Sequence, residues 1–137
     1  MVTARAWHGV GAALVAAICM GCVNSPTGPS AELGREFTLA PGDTAQVEEA
    51  GLRVRFDRVE GDSRCPADAV CIQGGDAVVH VTVQTDDRTR AYELHTGPMT
   101  PIVHEGYTVT LVQLAPYPFS SRTIAPGDYR ATLTVSR

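Results

Sequence analysis

Lysine is missing from the chain altogether, so its eleven basic residues are all arginines. Schiff-base catalysis and lysine-dependent phosphate loops are therefore excluded. Tryptophan occurs once, at Trp7, so a sugar-stacking platform elsewhere would have to use Tyr or Phe. There is no G-x-S-x-G, no H-E-x-x-H and no EF-hand loop. The net charge is −4 and the arginines are scattered among acids, which argues against a nucleic-acid groove. From residue 23 onward no stretch keeps helical spacing for three turns. Cysteine is scarce as well, with four in 137 residues.

What is present begins with an apolar run from Gly9 to Gly21, preceded by the single basic residue Arg5. The run suits the core of an export signal and is too short for a bilayer span of roughly 20 residues. Gly21 directly before Cys22 resembles the lipobox of bacterial lipoproteins, with Cys19 standing where leucine is usual. The resemblance covers the first 22 residues. It implies that residues 1–21 are a signal peptide removed on export and that Cys22 carries the lipid. The implied location is the cell envelope, with a membrane as partner through the N-terminal lipid. Val23, rather than Asp, after Cys22 points to the outer membrane of a Gram-negative cell, facing the periplasm or the surface. Cys19 and Cys22 form a C-x-x-C, but a redox site needs the motif in the mature protein, and here Cys19 leaves with the leader.

Two cysteines then remain, Cys65 and Cys71 in "DSRCPADAVCIQGGD". In an oxidising compartment they pair with each other. Zinc usually takes four ligands, and no second cysteine pair exists to supply them. The stretch is also similar to one in exported bacterial lipoproteins of unassigned activity. Asp62, Ser63, Arg64, Cys65, Pro66, Cys71 and Gly74 fit that pattern, and Gln73 stands where a tryptophan is expected. No mechanism comes with this likeness.

Residues 22–35, rich in Pro, Gly and Ser, are expected to form a flexible tether, and residues 36–137 one domain. Apolar residues alternate with polar ones in "LRVRF" (52–56), "AVVHVTVQ" (77–84) and "YRATLTVSR" (129–137). Shorter candidate strands are 37–40, 45–49, 90–95 and 107–114. A period of two marks half-buried strands, and turn signals such as Pro41-Gly42-Asp43 and Glu105-Gly106 separate them. Val59 falls out of phase with Leu52, Val54 and Phe56, which predicts a bulge near Asp57. About seven short strands predict an all-β, antiparallel, immunoglobulin-like sandwich with one disulfide. The closing "APGDYRATLTV" is similar to the last hairpin of such sandwiches.

Candidate chemistry is sparse. His95, Met99 and His104 could gather imidazole and thioether ligands for a soft metal, although methionine in such a loop usually fills a gap. Loop serines Ser63, Ser120 and Ser121 have no nucleophile elbow around them. The stapled loop is the functional candidate. Cross-linking lowers the entropy lost on binding, and Arg64 is a suitable interface anchor. Asp62, Ser63, Arg64 and Pro66 therefore form the candidate partner-binding loop, unless the staple only secures the connection and Arg64 pairs with Asp62 or a carbonyl. The expectation is a lipid-anchored, non-catalytic envelope module without cofactor that binds or assembles with an envelope protein. The alternatives are a periplasmic metal- or small-ligand-binding protein, an enzyme, and a protease-inhibitor-like use of the loop.

Overall fold

A computed structural model describes residues 28–137. The expected signal peptide (1–21) and the expected lipidation site Cys22 lie outside the described residues.

The strands are β1 (Ser30–Ala31), β2 (Glu36–Leu39), β3 (Thr44–Val47), β4 (Leu52–Glu60), β5 (Val78–Gln84), β6 (Thr89–His95), β7 (Ile102–His104), β8 (Tyr107–Ala115) and β9 (Arg130–Ser136). They form two sheets, in the order β1-β3-β4-β5-β6 and β2-β9-β8-β7. All pairings are antiparallel except β1 with β3. This is the expected sandwich, immunoglobulin-like in its two layers. The chain path is a run of hairpins, β3 to β6 in one sheet and β7 to β9 in the other.

The period of two does the sorting. Leu52, Val54 and Phe56 of β4 and Val79, Val81 and Val83 of β5 are fully buried, facing Leu111, Leu133 and Val135 from the second sheet. Side chains at successive positions point to opposite faces, so Arg53, Arg55 and His80 are left outside the core. The bulge is at Asp57: register slips between Phe56 and Arg58, which returns Val59 to the core edge. The Asp57 carboxylate, freed from the ladder, accepts the Thr82 hydroxyl at 2.7 Å.

Two strands escaped the sequence reading. The folded body starts at Ser30 rather than at residue 36, because Ser30 and Ala31 pair beside Gln46 and Val47 and Ala31 is buried. The other is β7, joined to β8 by the two-residue turn Glu105-Gly106. Both turn residues have positive φ (51° and 83°), as a type I′ hairpin turn requires. Strand 45–49 also ends early, at Val47, where the turn Glu48–Ala50 and left-handed Gly51 lead into β4.

Candidate functional site

The connection from β4 to β5 leaves the sheet at Glu60 and turns on Gly61. Its neck is closed where Ser63 and Asp76 meet. The Ser63 amide donates to the Asp76 carbonyl at 2.7 Å, and the Ser63 hydroxyl both donates to that carbonyl and accepts from the Asp76 amide. Cys65 and Cys71 are disulfide-bonded beyond the neck, the pairing expected from the sequence.

Arg64 points inward. Its side chain is 6% exposed, and it donates from Nε and Nη2 to the two oxygens of Asp62 at 2.8 and 2.7 Å. Nη1 donates to the Leu114 carbonyl at 2.7 Å and Nη2 to that of Pro116 at 3.0 Å. The guanidinium also lies 5.6 Å from the Tyr117 ring centroid. The expectation of an exposed Arg64 anchor is corrected by this geometry: the side chain ties the β4–β5 loop to the end of β8. Asp62 is committed too, receiving the Tyr129 hydroxyl at 3.0 Å. Burial pushes the Asp62 carboxyl up, but the hydrogen bonds from Arg64 and Tyr129 outweigh it and hold the group below its ordinary range. Burial and the bond to Asp62 push the Tyr129 phenol up.

The connection from β8 to β9 follows, entered through a cis Ala115–Pro116 peptide. It is sewn to the stapled loop by the Ala67 amide, which donates to the Pro118 carbonyl at 2.9 Å. Asp68 accepts the Ser120 amide at 2.8 Å and hydroxyl at 2.6 Å, bonds that hold its carboxyl below the ordinary value. A third connection, β6 to β7, is held by Asp76. Its carboxylate accepts the Thr96 hydroxyl and the Gly97 amide and pairs with His95 Nδ1. Here too burial raises the carboxyl pKa, and the bonds from His95, Gly97 and Thr96 outweigh it and lower it.

Three loops thus meet at one end of the sandwich around a cleft of about 230 Å³, lined by Arg64, Met99, Leu111, Leu114 and Tyr117 among others. The polar groups face one another and the apolar ones face out. Val70 and Ile72, inside the stapled loop, are fully exposed, and Met99, Tyr117 and Phe119 are exposed around them. Of the large exposed apolar side chains among the described residues, Val103 on β7 is the remaining one.

The metal candidates do not share a site. His95 is engaged by Asp76, and Met99 borders the cleft. His104, just before the Glu105-Gly106 turn, is buried: its Nδ1 lies 3.0 Å from the Tyr92 hydroxyl, and Nε2 has no partner among the described residues. No group of three His, Cys, Asp or Glu side chains that could hold a metal ion occurs among the described residues.

Sequence reasoning missed Asp76, whose role as the hub of two loops had no local signal. It also passed over Val70, Ile72, Tyr117 and Phe119. Apolar residues between turn formers, in "DAVCIQGG" and "PYPFSS", were the available clue. Compared with family models, curated proteins and solved structures, the chain has no match.

The disulfide is expected to contribute stability. Closing a seven-residue loop is worth about 2.4 kcal/mol on the chain-entropy model, less whatever Pro66 has already restricted. The double variant Cys65→Ser, Cys71→Ser should keep its β circular-dichroism spectrum and melt at a lower temperature. An unchanged melting temperature would show the staple to be energetically redundant.

Proposed function

We propose that the chain is an exported lipoprotein of the cell envelope, tethered through an acylated Cys22, that works by presenting a surface and not by turning over a substrate. One observation carries the second half. At the loop end the groups capable of chemistry (Ser63, Arg64, Asp76, His95) hold loops together, while Val70, Ile72, Tyr117 and Phe119 are displayed to solvent. The first half is supported by the lipobox-like "CMGC".

Anchoring is tested by acyl chemistry. Cells expressing the wild type should incorporate labelled palmitate into a mature chain beginning at residue 22, and the Cys22→Ala chain should incorporate none. Exported behind an ordinary cleavable leader, the mature Cys22→Ala chain should be released by alkaline carbonate. Stable membrane attachment takes two lipid signals, so losing the acylated cysteine removes it. A released Cys22→Ala chain that still carried label, or an unlabelled one resisting the wash, would count against the assignment.

A second reading, a periplasmic protein for a small apolar ligand, draws on the cleft beside Leu111, Leu114 and Tyr117. At about 230 Å³ the cleft falls below the ~300 Å³ where small-molecule pockets usually begin. It ranks second for that reason.

A further inference from the structure

The direction in which the chain enters the fold orients the molecule. β1 runs parallel to β3, with Ser30 opposite Gln46 and Ala31 opposite Val47, so residues before Ser30 lie toward the Thr44 end of that strand. Thr44 pairs with Arg55, and β4 continues past Arg55 to Glu60, where the stapled loop begins. The N-terminal segment therefore enters from the side of the stapled loop. Five strand residues beyond Arg55 advance about 17 Å. The six residue-to-residue steps from Cys22 to Gly28 reach at most about 20 Å. A lipid on Cys22 sits within reach of the apolar loop end and keeps that end close to the bilayer.

Charge separates the two ends in the same sense. The loop tips 66–75, 96–101 and 116–125 carry only Asp68 and Arg122 as charged residues, with Asp68 bonded to Ser120, and the short turns 40–43 and 126–128 at the same end add Asp43 and Asp128. The turns at the other end carry six acids, Glu32, Glu48, Glu49, Asp86, Asp87 and Glu105, against two arginines, Arg35 and Arg88, which pair with Glu32 and Glu105. Such a cluster is disfavoured against an anionic lipid surface.

From chain entry, reach and charge together, we infer that the end bearing Val70, Ile72, Tyr117 and Phe119 is a second membrane contact that rests these side chains in the headgroup–acyl boundary. The aliphatic pair and the Tyr and Phe rings suit that zone, where apolar bodies with polar tips are favoured. The disulfide and the Asp68–Ser120 and Ala67–Pro118 bonds hold the two loops together before contact, so little ordering is required on contact. This inference rests on the anchoring reading only through the position of Cys22.

The test uses the lack of tryptophan after Trp7. The acylated proteins with Ile72→Trp, Phe119→Trp or, at the far end, Glu49→Trp are reconstituted into phosphatidylethanolamine–phosphatidylglycerol vesicles containing brominated phosphatidylcholine. The first two should be blue-shifted and quenched about three-fold more than the third, as rings seated ~5–10 Å into the boundary would be. Flotation reports anchoring separately. Floating protein with equal quenching at all three positions overturns the inference and leaves the anchor intact. If mass spectrometry finds Cys22 unmodified, the same variants are attached from position 22 by a hexahistidine tag to nickel-chelating lipid, and the same ordering of quenching is expected. A photo-crosslinker at Ile72 that yields one discrete protein adduct in cells, with no lipid quenching, would assign the surface to a protein partner instead.

Discussion

Arg64→Met should cost about 3–5 kcal/mol, the range for removing one partner of a buried ion pair. That corresponds to a fall in melting temperature of about 15 °C or more for a domain of this size. The guanidinium donates four hydrogen bonds to three groups, one in its own loop, one at the end of β8 and one just beyond it. Without it the Asp62 carboxylate, 11% exposed, keeps only the Tyr129 hydroxyl and the residue-64 amide, and the Leu114 and Pro116 carbonyls lose their donor. Arg64→Lys should recover only part of the loss, since an ammonium cannot make the forked contact to Asp62 while reaching both carbonyls. The double variant Asp62→Asn, Arg64→Met should be less damaged than Arg64→Met alone, because it removes the stranded charge.

The pH dependence carries the same signature. Asp62 is lowered in the folded state, so its contribution is present above the ordinary carboxylate pKa and is lost as pH falls through the lowered value. Asp76 acts in the same direction. The wild type should therefore lose stability below about pH 4. In Arg64→Met the side-chain bonds and the charge of Arg64 no longer oppose burial, so the Asp62 pKa should rise and the deficit should narrow as pH drops from 7 to 4. Urea titrations at both pH values check this. A loss under about 1 kcal/mol, typical of an exposed pair, would mean that Arg64 is not the tie between the loops.

Strand patterning was legible because its signal is local. Leu52, Val54 and Phe56 announce their shared face, and the out-of-phase Val59 announces the bulge at Asp57. The disulfide was legible from the cysteine count and an expected oxidising compartment. Ser30–Ala31 and Ile102–His104 are too short to show alternation, although a two-residue Glu-Gly turn implies a strand on each side. Of the two readings of Arg64, interface anchor or partner of Asp62 and a carbonyl, the structure holds the second. The choice was open in the sequence for another reason. The acceptors of Arg64 include carbonyls 50 and 52 positions away, and backbone carbonyls carry no residue signature. "DSR" reads the same whether its arginine faces solvent or a neighbouring loop. Val70 and Ile72 mislead in the opposite direction, since apolar residues usually report burial and here report a displayed surface.

Gly75→Ala is the other substitution expected to damage the fold severely, and it tests the neck of the stapled loop. A Cβ on residue 75 would lie 1.5 Å from the Ser63 carbonyl oxygen and 2.3 Å from its carbon, both backbone atoms that no side-chain rotation can move aside. The strands of the neck would have to separate, which breaks the Ser63–Asp76 bonds at 2.7–3.1 Å. Displacing Ser63 also shifts Arg64 beside it and slackens its contacts to Leu114 and Pro116. The cost should reach the upper end of overpacking, about 3 kcal/mol. Gly74→Ala is the control: a Cβ there meets nothing within 4 Å, and the change should stay within about 0.5 kcal/mol of wild type. Chemical denaturation of both variants, with the disulfide intact by mass, separates close backbone approach from a general intolerance of the loop to substitution. If Gly75→Ala matched Gly74→Ala, the neck would be open in solution and the bracing of the loop end would lie with the disulfide, Arg64, Asp68 and the Ala67–Pro118 bond.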